Sequence, residues 1–453
     1  MRRATSRARR FGTALARFGG ALAGAVLLLS CGDAEPPAGS TDDRPTAATR
    51  RSERAERRPG SGIPGRYRLA RTSLDDGLSE EQREIAERLR AIGYLDGVAP
   101  ARGSGVTIHD RARAHPGLNF YTSGHMEGAL LVDMDGRVLH EWNYPSQEAF
   151  DGSTGAAAQR RQWWRRAHLF PNGDVLAIVS RSGLLKVDRD SNLLWALDIH
   201  AHHDLAIAPN RDLYLLGREV GIVPRVNAEE PIVEDLVVVL DADGNEKRRF
   251  SLLEAFERSS YVDAWRSTGR VRGDILHTNS IEWLDGRISS RNPAFAEGNL
   301  LISARGLDAI AVVDPVAEKV VWAHTGSYRR QHDPKILSNG NLLLFDNHGA
   351  GPSAILEFEP GGMEIVWEFR GDETQPFYSE SCGTSERLPN GNTLISETDF
   401  GRALEVTRAG EIVWEFYNPH RAGDEDQFIA TIPELVRLPA DFPSDWLDDS
   451  ARR

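Results

Sequence analysis

One repeated pattern limits what this chain can fold into. Its first half-unit runs through apolar residues, a turn such as Pro-Asn-Gly, and an apolar strand. It occurs as AHLFPNGDVLAIV (167–179), HHDLAIAPNRDLYLLG (202–217), HTNSIEWLDGR with EGNLLIS (277–303), HDPKILSNGNLLLFD (332–346) and TSERLPNGNTLIS (384–396). The second half-unit is a strand, an acidic or glycine turn, and a strand that usually ends in tryptophan. It occurs at 128–142, 183–197, 235–250, 309–324, 354–369 and 403–416. Asn-Gly and Asp-Gly supply the positive dihedrals of hairpin turns, so a pair of half-units predicts four short antiparallel strands. Such units recur every 35 to 75 residues and read as blades of a β-propeller. Five units are complete and a sixth is split, with its outer half at 128–142. The late strand-like segment FIATIPELVRLP (428–439) is the candidate to close the ring. The expectation is an all-β, six-bladed β-propeller over residues 106–442, followed by a tail at 443–453. A sandwich of the same hairpins would not explain the regular period.

The N-terminal part has a different character. MRRATSRARRFG is a basic segment and GGALAGAVLLLS a short apolar one, too short to span a bilayer. Residues 1–30 therefore read as an export signal. Its end, LLSC, resembles the lipobox of bacterial lipoproteins, which makes Cys31 the lipidation site and a lipid anchor the membrane contact. Residues 31–78 are rich in Pro, Ser, Thr, Arg and Asp and read as a disordered tether. Residues 79–105 carry one amphipathic helix, with Ile85, Leu89 and Ile92 on one face. The formal charge is -13, and about -19 without the six arginines of residues 1–30. So acidic a body argues against a nucleic-acid partner.

The histidines at the starts of the repeats carry the functional signal. In a propeller the first strand of each blade lines the central channel, and its start lies at one mouth. His332 stands six residues before Ser338, His203 six before Pro209, Arg165 six before Pro171 and Gly383 six before Pro389. His277, seven before Leu284, falls close to the same slot. Equivalent positions in a ring converge on the axis, so His203, His277 and His332 are expected to meet at one mouth. His168, three residues from its turn, is out of phase and reads as a strut. Arg305 interrupts two apolar strands, and a guanidinium there needs an anionic partner.

At these residues the sequence resembles the bacterial arylsulfotransferases, which are periplasmic six-bladed propellers. The resemblance covers roughly residues 115–440. GALLVDMDGRVLHEW is similar to the family's opening blade, DILHTNSIEW to its His-x-Asn-Ser motif and LLISARGLDAIAVVD to its arginine strand. RRQHDPKILSNGNLLLFDN is similar to its Gln-His motif with the following Phe-Asp-Asn. The resemblance implies that His332 is a transiently sulfated nucleophile. It makes His277 and Asn279 ligands of the sulfuryl group, Arg305 its charge partner and His203 a further active-site histidine. It implies an aryl sulfate donor and a phenolic acceptor. Studied members carry an N-terminal β-sandwich that helps dimerisation and a disulfide beside the site. Here only a tether and one helix precede the propeller, which leaves the oligomeric state open, and Cys382 has no partner for such a disulfide.

The residue types suit that chemistry. A neutral imidazole is a good nucleophile near neutral pH and a good leaving group once sulfated. Arginine and histidine can hold the three equatorial oxygens of a loose, anionic transition state, and no metal or other cofactor is required. Two other classes stay open. Three histidines with Asp204 or Asp333 could hold a divalent metal in a propeller lyase, hydrolase or oxygenase, although Arg305 would repel the cation. An exported binding propeller without catalysis is the third class. The loops 143–166 (QWWRR) and 253–273 (YVDAWRSTGRVRG) offer aromatic residues either to stack on an aryl ring or to cover the propeller mouth.

Overall fold

The computed structural model describes residues 67–69, 103–150, 162–180, 182–348, 352–372, 375–422, 426 and 428–450. The expected export signal, Cys31 and the helix-forming residues 79–102 lie outside these. Six four-stranded antiparallel blades follow one another around a ring. The first combines Glu434–Arg437 with Asn119–Thr122, Gly128–Val132 and Val138–Asn143. The innermost strands of the next five are Trp164–Leu169, Ala201–Ile207, Thr278–Trp283, His332–Ile336 and Thr384–Arg387.

The hydrophobic core is divided in a way that explains the repeat. Six buried clusters each lie between two neighbouring blades. Successive side chains of a strand point to opposite faces. In Val175–Val179, Val175, Ala177 and Val179 face the first blade while Leu176 and Ile178 face the third. A second strand buried on both faces has to be a continuous apolar run, and the sequence supplies one in each unit. In three blades the recurring tryptophan ties the blade to the next: the indole N–H of Trp142 donates to Gly173 O, that of Trp367 to Arg408 O and that of Trp414 to Met134 O, each at 2.9 Å. A large apolar ring with one polar edge is well suited to that place.

Both ends of the propeller close the ring. Glu434–Arg437, inside the expected segment 428–439, pairs with Asn119–Thr122. Gly105–His109 adds a fifth, outer strand beside Ile412–Tyr417 of the sixth blade. The expected split unit, which is the first blade, did not include the Asn119–Thr122 strand, and the expected unit at 384–416 did not include this outer one. Tyr67–Leu69, within the expected tether, pairs with Phe428–Ala430, whose backbone would otherwise present an unpaired edge. The expected tail contains a helix, Asp445–Ser450, whose Trp446 is buried against the first two blades. In the third blade Leu213–Val223 and Asn227–Leu240 form a hairpin much longer than the others. Its extension brings Arg218 and Asp235, paired in register, to the channel mouth.

Candidate active site

The innermost strands are irregular where they begin. Their pairing with the second strand shifts register between Trp164 and Arg166, Ala201 and Leu205, Thr278 and Ser280, and His332 and Lys335. Non-glycine residues with positive φ occur near the starts of these strands: His203 (61°), His277 (45°), Arg330 (52°), Asp333 (51°) and, before the unshifted strand of the sixth blade, Cys382 (62°). Backbone of this kind persists where the surroundings hold it, and bulges re-aim side chains. The result is that two consecutive residues of a strand can both face the channel. In the sixth blade the slot is Gly383, at φ 114°, where an added Cβ would lie 2.5 Å from the Phe345 ring.

These strand starts enclose one pocket on the ring axis, to which every blade contributes. It is lined by Pro433, Arg165 and Arg166, His203, Asn279, His332 and Asp333, and the Cys382–Thr384 stretch. Its cavity volume is about 30 Å³, room for only a few water-sized groups. His277 stands just behind, its ring centroid 5.1 Å from that of His203. The three in-phase histidines therefore do converge. His168 is exposed and outside the pocket.

His332 is oriented by a chain of hydrogen bonds with only one consistent reading. Asn347 donates from Nδ2 to the carbonyls of Ser379 (2.9 Å) and Cys382 (2.8 Å). Its Oδ1 therefore faces His332 Nδ1, at 2.7 Å, and accepts; Arg330 O, at 3.0 Å, also accepts from that nitrogen. Nδ1 carries a hydrogen, so in the neutral ring Nε2 holds the lone pair. That Nε2 is buried and has no hydrogen-bond partner in the protein.

The other groups surround it. His277 donates from Nδ1 to Asp274 Oδ2 at 2.6 Å. Burial pushes the His277 pKa down to about 4 against the opposing pull of Asp274. Burial would raise the Asp274 carboxyl, but His277 and Arg218 outweigh it and hold it low. His203 is also held well below the usual imidazole range, by burial first and then by the charge of Arg165. Arg305 ends the Leu300–Ala304 strand; its Nε is buried with no protein partner, and its charge reaches both His277 and His348. Asn279 donates one Nδ2 hydrogen to Gln331 O at 2.9 Å, and its acceptor Oδ1 is buried without a protein partner.

The aspartates considered as metal ligands are committed elsewhere. Arg166 is a hub that binds Asp204 Oδ1 (2.7 Å), Glu434 Oε1 (2.7 Å) and Asp333 Oδ1 (3.3 Å). Among the described residues no three His, Cys, Asp or Glu side chains form a group able to hold a metal ion. Of the aromatic residues in the two loops, Trp164 and Trp265 are buried in inter-blade clusters and Tyr261 packs on one. Arg165 was counted in phase but its place in the pocket was not assigned. Asp274, Asn347 and Arg218 carried no periodic signal.

Fold and pocket together define a six-bladed propeller with an axial, histidine-rich pocket. Residues 166–419, just over half of the chain, match the arylsulfotransferase (ASST) family model, and the chain belongs to that family. No curated protein matches the sequence. Among solved structures it is similar to a protein of unknown function from Bacteroides caccae, at 12% identity and TM-score 0.48, covering 71% of this chain and 98% of that one. It is also similar to virginiamycin B lyase from Staphylococcus aureus, at 12% identity and TM-score 0.34, covering 56% and 69%. A β-propeller domain from Myceliophteria thermophila gives 13% identity and TM-score 0.43, covering 73% and 100%.

Proposed function

We propose that this protein transfers a sulfuryl group from an aryl sulfate to a phenol through a sulfated His332. The observation that carries this reading is the buried, unpartnered Nε2 of His332, whose lone pair is fixed toward the pocket by Asn347. In the first step Nε2 forms the N–S bond and the S–O bond breaks, its electron pair leaving with the aryl oxygen. Arg165, Arg305 and Thr384 can supply donors and charge for the sulfuryl oxygens, each well-placed donor stabilising the transition state by ~3 kcal/mol. Asn279 takes a different part from the one the resemblance implied. Its Oδ1 suits the hydroxyl hydrogen of an acceptor better than an anionic oxygen. In the second step the acceptor oxygen attacks sulfur and the N–S bond breaks back to His332.

The test is a transfer assay with 4-nitrophenyl sulfate and phenol. Parallel-line, ping-pong kinetics and loss of turnover in a folded His332→Ala protein are expected. Full activity in that variant would overturn the mechanism. The basic N-terminal segment and the LLSC sequence support an enzyme exported to the cell envelope and anchored at Cys31. Cys31→Ser should then leave the membrane fraction, and an unchanged distribution would count against the anchor.

A further inference from the structure

We infer that His202 is a positioning residue that fixes which nitrogen of His203 faces the pocket, so that His203 serves as the base for the acceptor hydroxyl. The inference rests on the sulfuryl-transfer reading for its chemistry, but its geometry stands on its own. Consecutive residues of a regular strand point to opposite faces. Here the register shift after Ala201 and the φ of 61° at His203 bring both rings to one side. Their Nδ1 atoms lie 2.7 Å apart and their planes are perpendicular.

Two ring nitrogens at that distance share one hydrogen, and the surroundings decide which ring owns it. His202 Nε2 lies 3.2 Å from Gly217 O, which can only accept. That nitrogen therefore carries a hydrogen. The ring is buried and faces Arg218, His277 and Arg165, with Asp235 at 3.6 Å as its nearest acid. Burial and the arginine keep His202 neutral. A neutral ring protonated at Nε2 offers a lone pair at Nδ1, so His203 donates from Nδ1 and its Nε2 is bare of hydrogen. Asp235 and Asp274 both contact Arg218, at 3.4 and 3.3 Å, so one buried network backs His203 and His277 together. Its arginine comes from the long hairpin of the third blade.

The assignment gives the second step a destination for its proton. As the phenolic oxygen attacks sulfur, the N–S electron pair returns to His332 Nε2 and the O–H proton passes to His203 Nε2. The proton leaves on the aryl oxygen released in the next cycle.

The test compares His202→Leu, which removes the acceptor at Nδ1, with His202→Asn, whose Oδ1 can replace it. The burst of nitrophenolate from 4-nitrophenyl sulfate alone reports the first half-reaction, in which the leaving group needs no proton. Transfer from the sulfated enzyme to phenol reports the second. In His202→Leu the second should fall ~10–100-fold more than the first, and His202→Asn should recover most of that loss. Parallel loss in both half-reactions, or no difference between the two variants, overturns the inference. Nitrogen-15 NMR of the histidine-labelled full chain should show His203 as the Nδ1–H tautomer, changing in His202→Leu. Wild-type protein without a burst would sink the transfer reading alone, whereas an Nε2–H tautomer at His203 overturns the inference whatever the activity.

Discussion

Arg165 and Arg166, His203 and Asp204, and His332 and Asp333 are neighbours in sequence that enter two different layers of the same channel mouth. The second member of each pair is satisfied. Asp204 accepts from Arg166 and from the backbone N–H of Ile281, while Asp333 accepts from Arg166, Lys335 and the N–H of Ser385. The first layer is incomplete at one atom: Arg165 contacts Cys382 Sγ and His203 contacts His202, but the buried His332 Nε2 has no protein partner. Burial does not distinguish the layers, because His332 and Asp333 are both buried. What distinguishes them is whether the protein completes its own hydrogen bonds. A buried charge ringed by its partners holds blades together, and a buried polar atom without one marks the place for a ligand.

The strongest way to break this comparison is to mutate neighbours. Arg166→Leu strands Asp204, Asp333 and Glu434, and should lower stability by ~3–5 kcal/mol or more in urea unfolding. Arg165→Leu should leave the unfolding midpoint close to wild type while slowing transfer; equal destabilisation by the two would erase the distinction. Arg305→Ala should leave the fold and the nucleophile and slow transfer by ~10²–10³. A smaller effect is expected one shell out. Asn347→Ala frees the His332 ring to present either nitrogen and should cost ~10–100-fold in turnover, with little change in KM.

The smallest effect lies deeper in the channel. Burial raises the Glu282 carboxyl to about 8, above its ordinary 4.5. A raised pKa contributes stability that is present below 4.5 and lost as pH rises through 8. Glu282→Gln should therefore raise Tm by a few degrees at pH 9 and change it little at pH 4. A Tm gain equal at both pH values would show that the carboxyl is not strained by burial.

Much of the fold was legible because its signals are local. An Asn-Gly or Asp-Gly turn and two-faced apolar strands occur in every unit, and six inter-blade clusters follow from them. The closing strand was legible as the late apolar segment. Gly105–His109 was not, since a short edge strand has no repeat of its own. The histidines were found by counting back from turns. That count assumes regular strands and admits one channel residue per blade. The register shifts admit two, so Arg166 and His202 went unread, and Asp204 and Asp333 were read only as possible metal ligands. Asp274, in the short strand Gly273–Asp274, and Asn347, just after Leu342–Asp346, lie outside the counted slots, so the count back from turns gave neither a role.

The central claim is that the incomplete layer is the reactive one, and that His332 Nε2 is its reacting atom. Rapid mixing of the full chain with 4-nitrophenyl sulfate and no acceptor, followed by acid-free digestion and mass spectrometry, tests it directly. The account predicts one added sulfuryl group on the peptide containing His332, lost when phenol is added and absent in His332→Ala. A wild-type protein that releases nitrophenolate yet carries no such group, or carries it on the peptide of His203, would contradict it.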